Sequence, residues 1–323
     1  MNKIEKLKVA VDVALYYFII NTVFHLLTII LPYLIFESNR GLTLGPRGYE
    51  IQFVPEIVVI LFLVILSNVL KRKLQRRINT DSKTSIFIIV GVLLIITGVT
   101  RIPSYVSLIG VFLEHSSKMQ NSSLMDGIYG AIVSIVIFVI QIGVGAYLTL
   151  INIKRDKHIE KIKVAVDVAL YYYAITSVIY LMSKIFSDLL FRSSRQLIEG
   201  LRSNIIYYIV VVVAIVFLAL ISNLLKRKVQ VDSNIDNKQL IFIIVGVLLI
   251  ITAITEIPTQ ISWVYYYYNY SIDKGISQFQ KTQFTNAVYW AIVQIVFFAF
   301  QIGIGAYFAL MTKKKDKQIE ETS

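Results

Sequence analysis

The sequence predicts an all-α fold: a polytopic membrane protein with eight transmembrane helices arranged as two parallel four-helix repeats. Three observations carry that prediction. First, 56% of the 323 residues are apolar and only 16% are charged, against about 45 to 50% and about 25% in soluble domains. Second, eight apolar runs long enough to cross a bilayer are bounded by charge. Third, long stretches of the first half recur at an offset of 155 residues.

A bilayer core of about 30 Å takes about 20 helical residues. The first run, 9–36, follows a basic start and carries Pro32 near its far end. It is about twice the length of a signal-peptide core and lacks a small-residue cleavage site, so it reads as a retained anchor. The second run, 53–70, ends on Lys71, Arg72 and Lys73. The third, 86–113, holds Arg101 and Pro103, and the fourth, 127–151, is rich in small residues. The second half repeats the series as 164–191, 205–225, 240–267 and 286–311, with Glu256 and Pro258 in the seventh run. The odd-numbered runs exceed a perpendicular span, which implies tilt or a break at the prolines.

Basic residues set the expected orientation. Of 32 lysines and arginines, 22 lie on the side of both termini and 10 on the other, so both termini are expected in the cytoplasm of a cell-membrane protein. The aromatic run 263–270 reads as an interfacial belt on the outer side.

The duplication is visible in the letters. VAVDVALYY at 9–17 recurs at 164–172, and FIIVGVLLIIT at 87–97 recurs at 242–252. QIGVGAY at 141–147 returns as QIGIGAY at 301–307. The repeats are therefore bounded as 1–155 and 156–323. An even number of spans per repeat inserts both the same way up, about an axis along the membrane normal. This resembles parallel-repeat transporters in architecture alone, a likeness that does not establish function.

Several classes are excluded or disfavoured. With no cysteine there is no disulfide framework, thiolate metal site or thiol chemistry. Zinc-protease, nucleophile-elbow, phosphate-loop and calcium-loop motifs are missing, so no enzyme activity, catalytic residue, metal or cofactor is expected. The net charge of +12 is scattered in short clusters between apolar runs, which argues against nucleic acid and for the bilayer, with anionic lipid at the cytoplasmic clusters. Oligomeric state is not encoded legibly.

Ionisable groups inside a span cost about 2.5 to 3.5 kcal/mol at the helix centre, so each needs a reason. Asp12 and Asp167 occupy one repeat position and read either as an ion or proton site at the inner mouth or as helix-end acids paired with Lys8 and Lys163. Arg101 and Glu256 share another position, about 22 Å into their helices at 1.5 Å per residue. Opposite charges at one depth suggest a cross-repeat ion pair; independent snorkelling is the plainer alternative. Thr97, Arg101 and Ser104, matched by Thr252, Glu256 and Thr259, fall on one helical face each. Ser134 and Gln141, matched by Gln294 and Gln301, mark a second polar face that serves either helix packing or a pathway. His25 reads as a hydrogen-bonded structural residue.

These positions point to a small-solute or ion transporter or channel with its path at the repeat interface. The alternative is a non-transporting scaffold, sensor or immunity-type protein acting through a partner or lipid. A continuous polar lining between the halves favours the first, and a dry interface the second.

Overall fold

The computed structural model describes residues 3–36, 46–74, 80–114, 121–152, 158–191, 209, 212–227, 235–272 and 278–320, and nearly all of them are helical. The helices are α1 (Lys3–Phe36), α2 (Pro46–Leu74), α3 (Thr80–Glu114), α4 (Asn121–Ile151), α5 (His158–Phe191), α6 (212–227), α7 (Ile235–Ile272) and α8 (Gln278–Glu320). Pro32, Pro55, Pro103 and Pro258 lie inside α1, α2, α3 and α7, where each removes one backbone donor.

Each expected apolar run meets one of these helices. Among the described residues, six helices are long and apolar enough to cross a membrane, in α1, α3, α4, α5, α7 and α8. α2 and α6 are not among them. The side chains of α2 are described only from Pro55 onward, and the described part of α6 covers only 212–227.

α1, α3, α5 and α7 form an inner ring in that order, since α1 packs on both α3 and α7, and α5 packs on the same two. α3 and α7 thus stand across from each other. α4 lies against α3 and α1, α8 against α7 and α5, and α2 against α1 and α7. The ring is filled by apolar side chains from all four helices: Ala14 of α1, Leu93 and Leu94 of α3, Ala169 of α5, and Leu248 and Leu249 of α7 are fully buried in one core. Outward faces are apolar as well; Ile65 of α2 and Phe300 of α8 are 63% and 66% exposed. A chain that is apolar both inside and out has the pattern of helices surrounded by lipid.

Apolar helices gain little from water exclusion when lipid is equally apolar, so close backbone approach and polar links must hold them together. α3 and α4 meet at Gly91 and Gly145, where a Cβ on Gly145 would lie 2.6 Å from the Gly91 carbonyl oxygen. α7 and α8 meet in the same way: a Cβ on Gly246 would lie 2.5 Å from the Gly305 carbonyl oxygen. Only glycine permits this contact.

Candidate functional site

Four layers stack along the inner ring. At the end where α1, α5, α3 and α7 bring their basic flanks together, Lys8 Nζ bonds both carboxylate oxygens of Asp12, and Ser67 Oγ of α2 donates to Asp12 Oδ1 at 2.7 Å. The arrangement recurs 155 residues on: Lys163 Nζ donates to Asp167 Oδ2 at 2.8 Å, and Ser222 of α6 donates to Asp167 Oδ1. Lys8 and Asp12 are almost fully buried and therefore depend on this pairing. Close by, Lys6 Nζ reaches Gln239 Oε1 at 2.7 Å, tying α1 to α7.

The next layer is the apolar core of Leu93, Leu94, Leu248 and Leu249. One turn further lies a belt of hydroxyls. Thr97 is bonded to Tyr17 of α1 at 2.9 Å and to Tyr173 of α5, and Thr252 is bonded to Tyr172 at 2.8 Å. Tyr173 stands where the first half has Phe18, so the link from α5 to Thr97 has no hydroxyl counterpart at the matching position.

The outermost layer is a cavity of about 360 Å³. α1 lines it with His25, α2 with Glu56, α3 with Arg101, Ser104 and Tyr105, and α7 with Thr255 and Glu256. Helical spacing explains the membership: Thr97, Arg101 and Ser104 advance along one face of α3, so the face that holds the hydroxyl belt also lines the cavity. His25 Nδ1 lies 3.4 Å from Glu56 Oε1, while the other Glu56 oxygen is buried with no hydrogen-bond partner. The Arg101 guanidinium sits over the Phe138 ring of α4, 5.8 Å from its centroid. Among the described residues, neither Arg101 nor Glu256 is hydrogen-bonded or ion-paired to another side chain. Buried, unpartnered oxygens of Asn21, Thr22 and Gln260 lie on the same stretches of α1 and α7 that carry His25 and Glu256. Most buried polar groups are satisfied, so such a concentration marks a polar region rather than packed core.

The structure thus places Arg101, Glu256 and Ser104 at one cavity, with Thr97 and Thr252 in the layer beneath. The side chain of Thr259, and most of the aromatic run 263–270, lie outside the described side chains. Three amides of the second polar face bond to neighbouring helices. Gln141 Nε2 donates to the Leu94 carbonyl at 3.4 Å, Gln301 Nε2 to the Leu249 carbonyl at 3.1 Å, and Gln294 Nε2 to Ser183 Oγ at 2.6 Å. Ser134 Oγ turns back to the Gly130 carbonyl of its own helix at 2.9 Å. Among the described residues, no group of three or more acidic and histidine side chains converges as a metal would require.

Sequence reasoning passed over Glu56 and read His25 as a structural residue. The signal for Glu56 was present: it is a lone acid beside an apolar run, open to the same cost argument that singled out Arg101 and Glu256. Its partner was hidden, because His25 and Glu56 lie on different helices.

Comparison with known protein families, with characterised proteins and with solved structures finds no match for this chain.

Proposed function

We propose that the chain moves a small solute or ion across a membrane, with the path at the junction of two parallel four-helix repeats, 1–155 and 156–323. In this reading all eight helices span the cell membrane, both termini are cytoplasmic, and the exposed Lys71, Arg72, Lys73, Lys226 and Arg227 meet anionic headgroups. No enzymatic step is part of it.

The cavity carries the proposal. It gathers two acids, an arginine and a histidine from both halves of the chain, and lies in series with a hydroxyl belt and then a dry apolar layer. A solute site open toward one side and plugged toward the other is what alternating access needs, with rocking of one half against the other exposing the site in turn. Arg101 and Glu256 act across the solute space, as the two ends of a cross-repeat pair. Asp12 and Asp167 act as clamps that hold α1 to α2 and α5 to α6 at the far end.

The dry layer also suits the competing reading, a scaffold or sensor whose halves never separate. Accessibility decides between them, and the lack of any native cysteine makes every introduced thiol a clean reporter. In sealed vesicles, Ser104→Cys should react quickly with an impermeant thiol reagent from outside. Leu93→Cys and Leu248→Cys should react slowly but measurably from the cytoplasmic side as the site turns inward. Complete protection of both plug positions, in folded protein, would sink transport in favour of the static reading.

A further inference from the structure

We infer that the cavity takes a small zwitterion, a molecule with a carboxylate at one end and an ammonium at the other. The inference rests on the solute-site reading above and names the solute's chemical class.

Arg101 and Glu256 project from α3 and α7, which face each other across the inner ring, and both line the same cavity. Neither makes an ion pair or hydrogen bond with a described side chain. Phe138, almost fully buried in α4, lies beneath the guanidinium and supports it by its ring face while offering no anion. The five N–H donors of the guanidinium are therefore available to a carboxylate, which they can grip in a two-pronged contact. On the acidic side, Glu56 keeps one oxygen near His25 and leaves the other buried without a partner. Glu256 lines the same cavity, so two carboxylates are offered to an ammonium.

Ligands with a single charge fit poorly. A plain anion would satisfy Arg101 but crowd Glu56 and Glu256, while a plain cation would do the reverse. Either leaves an uncompensated charge in a low-dielectric region. A zwitterion satisfies both ends at once. Size points the same way, since about 360 Å³ is near the lower limit of small-molecule pockets, which run from about 300 to 1,000 Å³. Ser104, Tyr105 and Thr255 add hydroxyl-bearing side chains to the lining.

The test is binding to the full-length protein in detergent, by calorimetry and thermal shift, with glycine and γ-aminobutyrate as zwitterions and acetate and methylammonium as single-charge controls. At least one zwitterion should bind and stabilise, and both controls should bind at least about tenfold more weakly, the value of one charged contact. Arg101→Gln and Glu256→Gln should each lose about tenfold or more in zwitterion affinity, and the swap Arg101→Glu with Glu256→Arg should recover part of it by reversing the bound molecule. Arg101→Lys keeps the charge but not the fork, and covers the case in which a neutral variant does not fold. Acetate or methylammonium binding as tightly as either zwitterion, or no zwitterion binding at millimolar concentration, overturns the inference. Uptake into proteoliposomes separates it from transport: a zwitterion that binds but does not cross refutes transport and leaves the ligand class standing. A control ion that binds and crosses while the zwitterions do not refutes the class alone.

Discussion

Asp12 and Glu256 are both acids set in apolar helices, and their neighbours give them different roles. Asp12, itself nearly buried with Lys8, holds Lys8 on both oxygens and Ser67 on one. Glu256 faces a cavity instead. The Lys8 spacing, four residues before Asp12, was legible as a helical pair. Ser67, 55 residues away, was not, because nothing in a single sequence says which face of α2 meets α1. The pairing has a measurable consequence. Asp12→Ala strands the Lys8 ammonium, only 4% exposed, and losing one partner of a buried pair costs about 3 to 5 kcal/mol. A large drop in melting temperature in detergent is expected, with most of it recovered when Lys8→Met is combined with Asp12→Leu. A melt of Asp12→Ala that matches the parent would show the charge to be solvated.

At the scale of elements, the repeated QIGxGAY segment divides its glycines by function. Gly145 and Gly305 touch the backbones of α3 and α7, while Gly143 and Gly303 face open space. Gly145→Leu or Gly305→Leu must push two helices apart, which costs about 1 to 3 kcal/mol or more where backbone cannot yield. Gly143→Ala meets nothing and should be neutral or gain up to about 1 kcal/mol from helix propensity. Thermal melts of the three variants check the contrast, and equal effects at Gly143 and Gly145 would contradict the backbone contact. The reason for the small residues was readable beforehand, since lipid-immersed helices associate through close contact. Which of two glycines in one motif makes that contact depends on helix rotation, which only the packed structure supplies. Gln141 and Gln301 tell a similar story: as amides on a polar face they allowed either packing or a pathway, and the structure adds their bonds to the Leu94 and Leu249 carbonyls of α3 and α7.

For the molecule as a whole, six helices among the described residues pass the length and apolarity needed to span a membrane, and accessibility tests the proposed eight-span topology. Single cysteines in the otherwise cysteine-free chain provide the measurement. Ser323→Cys and Ser82→Cys should be shielded from an impermeant reagent in intact cells, while Gly45→Cys and Asn121→Cys should be labelled. A shielded Gly45→Cys would remove α2 from the membrane-spanning set and undo the parallel arrangement of the halves.

Composition and apolar run length by themselves determined that the chain is helical and suited to a membrane, because every backbone polar group in lipid must be satisfied within its own segment. The same local counting located Arg101 and Glu256, since a charge in an apolar run is conspicuous wherever the helix ends up. Only the tertiary structure decided that these two residues share a cavity with His25 and Glu56, that a dry leucine layer closes it, and that Tyr173 crosses from α5 to Thr97. Those facts depend on which helices neighbour one another and how each is rotated. With lipid as apolar as the core, hydrophobicity cannot distinguish a face turned inward from one turned outward.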